Sequence, residues 1–249
     1  MDDIWFESCG VKLFAVESGQ GRPLLLLHGG LATHQAVRLF AAPLSADYRL
    51  ITPDLRASGR SHFAGELGWD LLADDVVALA RHLGLDRAVI GGISFGAGVA
   101  LRVALRHPQL VERLVLLHPA FGGAELGLTD AQWRAMRAMD AVGRRVVADG
   151  IAAMFPLFDA LPIAIRERAR ALVATYDPAS VATSTRFMAS GAQPFVRGEE
   201  LVAIDAPTLV VPGLDPEHPV EVARVFTQIP SATIAETTDI ATAIRQWLG

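Results

Sequence analysis

Gly92-Ile93-Ser94-Phe95-Gly96 sets a serine between glycines, directly after the apolar run 88–90 and at the head of a helical pattern reaching about His107. A serine on such a sharp strand-to-helix turn is strained and exposed, and only small neighbours fit where the backbones crowd. Gly92, Gly96 and Gly98 supply them. The chemistry this arrangement serves is nucleophilic attack on a carbonyl. A second glycine-rich turn, His28-Gly29-Gly30, follows the run 24–27. From there a backbone N–H can be aimed at a developing oxyanion, paired with the N–H of the residue after the serine. The expected donors are Phe95 N–H and Gly30 N–H, with Leu31 the near alternative to Gly30. His28 itself reads as a hydrogen-bonding scaffold residue rather than a base.

Rigid strands must hold these turns. Runs at 24–27, 49–52, 88–90, 114–117 and 208–211 are continuously apolar or β-branched, the pattern of strands buried on both faces. A weaker last strand is expected at 232–235, and segments 4–8 and 11–17 flank Cys9-Gly10 as a tight hairpin. Leu72, Val76, Leu79 and Leu83 recur at helical spacing up to Gly84, as do Val222, Val225, Phe226 and Ile229 after Pro219, and Ile240, Ile244, Trp247 and Leu248. This alternation predicts an α/β fold, a mostly parallel sheet with helices on both faces. The rhythm breaks between about Pro119 and Val202, where no strand candidate occurs and helices start at Thr129-Asp130, Leu161-Pro162 and Asp177-Pro178. Trp133, Met136 and Met139 line one of them. The expected organisation is a core of residues 1–118 and 203–249 with a helical lid at 119–202.

Composition narrows the function classes. The 249 residues are 51% hydrophobic and 20% charged, enough to bury a core, and the formal net charge is −5 with no basic stripe to follow a phosphate backbone. Lys12 is the sole lysine beside 21 arginines, a skew that reads as codon bias. A single cysteine, Cys9, excludes an intramolecular disulfide and a cysteine zinc cluster. No stretch opens like a signal peptide or is long enough to span a bilayer, so a soluble, cytoplasmic protein is expected, without nucleic-acid or membrane partners. No H-E-x-x-H or phosphate-loop pattern occurs, and Asp74-Asp75 and Glu199-Glu200 read as solvated faces; no metal or cofactor is expected. Oligomeric state is not legible.

The chain resembles the α/β-hydrolase superfamily over nearly its whole length. Besides the two glycine turns, Asp54-Leu55-Arg56-Ala57-Ser58-Gly59-Arg60-Ser61 is similar to that family's D-x-R-G-x-G-x-S turn, with Ala57 in place of a glycine, and Ala206-Pro207-Thr208-Leu209-Val210-Val211-Pro212-Gly213 to its penultimate strand. The resemblance implies an eight-stranded sheet, a helical cap, substrate bound between them, and a triad in the chain order nucleophile, acid, base. Asp215 falls where the triad acid is usual, one residue closer to Gly213 than the common spacing. The family's base is a histidine after the last strand. Here that region reads Ile234-Ala235-Glu236-Thr237-Thr238-Asp239-Ile240, Thr238 or Asp239 starts the final helix, and no histidine follows His218.

Serine needs a base, and two histidines are candidates. His218, in Asp215-Pro216-Glu217-His218-Pro219, precedes a helix N-terminus, which disfavours an imidazolium, and stands close in sequence to Asp215 for a carboxylate–imidazole pair usually split between loops. His118 ends the run 114–117, beside the serine's strand, from where an imidazole can reach between Ser94 and Asp215. The plain alternatives are a helix-start histidine and a pocket-lining one. His34, His62, His82 and His107 read as surface residues.

The leading expectation is a cofactor-independent serine hydrolase for a small, apolar ester or lactone, the apolar character read from Met154, Phe155, Phe158 and Phe187. The alternatives are a catalytically silent small-ligand-binding protein, motivated by the missing terminal histidine, and a lyase or cofactor-free oxygenase on the same scaffold.

Overall fold

The computed structural model describes residues 1–235 and 239–249. Its strands are β1 (Asp2–Ser8), β2 (Val11–Ser18), β3 (Pro23–Leu27), β4 (Arg49–Pro53), β5 (Ala88–Ile93), β6 (Val111–Leu117), β7 (Thr208–Val211) and β8 (Ala232–Ile234). They form an eight-stranded sheet in the order β1-β2-β4-β3-β5-β6-β7-β8, with β1/β2 and β2/β4 antiparallel and every later pairing parallel. The α-helices are α1 (His34–Ala41), α2 (Trp69–His82), α3 (Phe95–Arg106), α4 (Asp130–Asp149), α5 (Ile163–Val173), α6 (Pro178–Ala189), α7 (Val220–Val225) and α8 (Ile240–Leu248).

Successive strand side chains point to opposite faces, and the central strands are apolar on both. Leu25, Leu27, Ile90, Leu114, Leu116 and Val210 join the core under α2 and α3. Leu24, Leu26, Val89, Val115, Leu117, Leu209 and Val211 join the core under α1 and α8. Each fully buried Leu or Val contributes roughly 1.5–3 kcal/mol relative to exposure, so the middle of the sheet is its most firmly held part. α1 escapes the sequence pattern because it is only eight residues long; Thr33 caps it and Val37 and Ala41 anchor it.

Between β6 and β7 the chain is helical and contains no strand. Thr129 and Gln132 form a reciprocal capping box at the start of α4, and Asp177 caps α6 with Pro178 in its first turn. Val146, Met154, Val173, Tyr176 and Val181 give this insertion its own small core. Among the described residues, no helix is long and apolar enough to cross a membrane.

Some charged residues read as solvated are not. Asp75 is buried, and its carboxylate accepts two hydrogen bonds from Arg56, at 2.8 Å from Nε and 2.6 Å from Nη2; Nη2 also donates to the Ser8 carbonyl at 2.9 Å. This ties α2 and the turn after β4 to β1. Asp74 stays on the outer face, where it accepts from His107 Nε2 at 3.0 Å. His107 is therefore a half-buried partner, whereas His62 and His82 are exposed as expected.

Removing one partner from a buried, doubly bonded ion pair leaves the other charge uncompensated, at a cost of about 3–5 kcal/mol. Asp75→Ala is therefore expected to lower the urea midpoint by the equivalent of that cost. A midpoint within error of wild type contradicts the assignment.

Candidate active site

The turns that follow β3, β5, β6 and β7 all leave the same edge of the sheet, because these strands are parallel neighbours. From β3 the chain steps to β4 on one side, and from β5 to β6 on the other. Such a reversal opens a crevice at the carboxyl ends of the strands, where ligands bind in open α/β sheets.

Ser94 leaves β5 at this crevice with φ 55° and ψ −113°. Its N–H is held by the Leu117 carbonyl at 2.9 Å. The conformation is possible because the chain turns back on itself through glycines: a Cβ on Gly92 would lie 2.3 Å from the Gly96 backbone. Phe95 is the first residue of α3, so its N–H has no partner inside the helix and the positive end of the helix dipole faces Ser94. The His28-Gly29-Gly30 turn packs against the serine, with the Cβ position of Gly29 3.4 Å from Ser94 Cβ. Leu31 has φ 52°.

The loop between β7 and α7 completes the arrangement. Asp215 Oδ1 accepts the backbone N–H groups of Glu217 (2.9 Å) and His218 (3.0 Å), folding the loop back over its own carboxylate. His218 Nδ1 then meets Asp215 Oδ1 at 2.8 Å and Oδ2 at 2.9 Å, while Nε2 stands 2.8 Å from Ser94 Oγ. Closeness in sequence, read above as an obstacle, is thus met by a turn that pairs acid and imidazole within one loop. The turn needs Gly213, where a Cβ would fall 2.3 Å from His218 Cβ. Burial pushes the Asp215 carboxyl up, but the His218 ring and the two N–H groups outweigh it and hold its pKa below the usual carboxylate value. α7 has only six residues, so the dipole it sets against an imidazolium at His218 is small.

His118 is placed differently from the sequence expectation. It leaves β6 with φ 42° and lines the crevice, but His218, not His118, lies between Ser94 and Asp215. The two imidazole rings are 6.1 Å apart. Burial, then the neighbouring His218, lowers the pKa of His118 against the pull of Asp215. His28 is a buried scaffold residue. Its Nδ1–H donates to the Gly29 carbonyl at 2.7 Å and its Nε2 accepts from Leu55 N–H at 2.9 Å, which fixes a neutral tautomer. Burial lowers its pKa, beyond what Asp54 and the Gly29 carbonyl return.

His34, read as a surface residue, is a half-buried partner of Asp54. Asp54 Oδ1 accepts His34 N–H and faces His34 Nδ1, both at 2.8 Å, and Oδ2 accepts Arg60 N–H at 2.9 Å. Burial raises the Asp54 carboxyl, but His34 leads the interactions that bring it below its ordinary value. Ala57, standing where a glycine is usual, has φ 63°. Glu236, Thr237 and Thr238, where the sequence reads as a short loop, lie outside the described residues; Asp239 caps α8.

A cavity of about 380 Å³ opens over Ser94 and His218. Its apolar wall comes from Phe40, Phe121, Met136, Met139 and Met188. Met154, Phe155 and Phe158, from which an apolar substrate was read, pack inside the insertion instead, and Phe187 packs on Trp69 and Phe95. No cluster of three or more metal-ligating side chains occurs among the described residues.

The family model of the α/β hydrolase fold matches residues 22–178. The chain belongs to the α/β-hydrolase family. A thermophilic esterase from Thermogutta terrifontis superposes on this α/β-hydrolase with a TM-score of 0.80 at 25% identity, covering 100% of this chain and 98% of that one. An enzyme described as degrading N-acyl homoserine lactones is 26% identical, with a TM-score of 0.68 and 98% coverage of both chains. A 2-hydroxymuconate semialdehyde hydrolase of Pseudomonas sp. (strain CF600) is 34% identical over 134 residues, 51% of this chain and 47% of that protein. The match to this curated relative thus spans about half its length.

Two outcomes follow from the geometry of this α/β-hydrolase. Gly213→Ala displaces His218, and a shift of about 1 Å at a reacting group can cost on the order of a hundredfold. The rate of Ser94 phosphonylation by a fluorophosphonate should drop to that extent with the circular dichroism spectrum retained; an unchanged rate contradicts the close-approach argument. The second concerns pH. His28 and His118 have native pKa values below the unfolded value of about 6.5. Between the two values the unfolded chain holds more protons, so stability rises with pH there and is lost on acidification below about 6.5. The depressed carboxyl of Asp54 acts in the same direction lower down, its contribution being lost as pH falls through its native pKa. Urea midpoints should be lower at pH 5 than at pH 7.5, and an equal or higher midpoint at pH 5 contradicts this.

Proposed function

We propose that this protein is a cofactor-independent serine hydrolase acting on a small, largely apolar carboxylic ester or lactone. The observation that carries the reading is the chain of hydrogen bonds from Ser94 Oγ through His218 to Asp215. Ser94 attacks the carbonyl carbon while His218 Nε2 takes its proton, and Asp215 orients the ring and stabilises the imidazolium. Phe95 N–H and Gly30 N–H receive the oxyanion. His218 then protonates the leaving alcohol, and water, activated by the same imidazole, releases the acid.

The apolar cavity wall supports an apolar substrate, and Met136, Met139 and Met188 from α4 and α6 support reading residues 119–202 as a lid. Neighbours described as an esterase and as a lactone-degrading enzyme agree with this chemistry. The silent-binder alternative rested on a missing base; His218 Nε2, 2.8 Å from Ser94 Oγ, supports the hydrolase reading over it.

Intact-mass analysis after exposure to a fluorophosphonate tests the proposal. Wild type and His118→Ala should gain one stoichiometric adduct, and Ser94→Ala none. His218→Ala should be slowed by about 10⁴-fold or more, as when a triad base is removed. No adduct on wild type over hours, or unimpaired labelling of His218→Ala, overturns the mechanism.

A further inference from the structure

The polar side chains of the cavity are Ser94, His118, Gln132, Glu217 and His218. Ser94 and His218 are bonded to each other. Gln132 is fully engaged: its Nε2 donates to the carbonyls of Ala120 (2.6 Å) and Glu217 (3.1 Å), and its Oε1 accepts from Thr129 N–H (3.0 Å) and Thr129 Oγ (3.3 Å). Glu217 is an exposed residue at the rim. His118 remains, half-buried, with no hydrogen bond to its ring among the described residues. A non-glycine residue at positive φ is strained and persists where surroundings impose it, often at functional sites. Here the strained backbone at φ 42° directs an uncommitted imidazole into an apolar cavity.

Its place along the sheet edge decides what it meets. The order is the His28-Gly29-Gly30 turn after β3, Ser94 after β5, His118 after β6 and the His218 loop after β7. In the proposed reaction the oxyanion points to the β3 turn and the leaving oxygen to His218. His118 therefore lies on the leaving-group side. We infer that His118 is a specificity residue that hydrogen-bonds a polar atom on the alcohol portion of the substrate, which is thus an ester whose alcohol carries a hydroxyl, carbonyl or amide group near the ester oxygen. A neutral imidazole both donates and accepts, and the lowered pKa keeps it neutral at pH 7.

This rests on the hydrolase reading, and the experiment separates the two. 2-Hydroxyethyl butyrate and propyl butyrate match in size and differ only in a terminal hydroxyl against a methyl. Wild-type kcat/KM should favour the hydroxyethyl ester by about tenfold. His118→Phe should lose about that factor on the hydroxyethyl ester alone, and His118→Asn, which keeps a donor and an acceptor, should recover part of it. Equal losses on both esters, no loss on either, or a wild type that prefers the propyl ester overturns the inference. A wild type that takes the phosphonate yet cleaves neither ester overturns it too, while one that does neither overturns the hydrolase reading beneath it.

Discussion

The candidate site depends on one carboxylate serving two purposes. Asp215 accepts the backbone N–H groups of Glu217 and His218, and that turn brings the His218 ring onto the same two oxygens. Without the turn, the imidazole would have to be supplied from another loop. With it, an eight-residue connection between Val211 and Val220 delivers carboxylate and imidazole together. Side-chain bonding to backbone two and three residues onward is ordinary turn chemistry; its use here is to aim an imidazole across the edge of the sheet.

That aim is useful only because the sheet is rigid beneath it. The four central parallel strands are buried on both faces, and the residues that leave their carboxyl ends carry unusual backbone: Leu31, Ser94 and His118 all have positive φ. Strain of this kind survives where the surroundings over-determine it. The Ser94 N–H on Leu117 and the His118 N–H on Val211 at 2.7 Å extend the ladder to these two residues. Asp54 performs the same service for the neighbouring turn, joining the start of α1 to the chain after β4.

The fold was legible because its signals are local. Continuous apolar runs mark doubly buried strands, and a serine among glycines after such a run marks its own turn. The pairing of base and acid was not. His218 and Ser94 are 124 residues apart, and the turn that joins His218 to Asp215 depends on Gly213 leaving room for a ring, which spacing alone does not reveal. Read together, Gly213 and the Asp-x-x-His spacing were the available signal. His34, Asp75 and His107 were misread for a related reason: a polar residue on a helix looks solvated until its long-range partner, Asp54, Arg56 or Asp74, is known.

In the proposed mechanism Asp215 acts on Ser94 only through His218. Phosphonylation rates of wild type, Asp215→Asn, His218→Ala and the double variant form a cycle that tests it. The double variant should react at the rate of His218→Ala alone, because an acid that works through the ring has nothing left to orient. Independent losses that multiply in the double variant would contradict it.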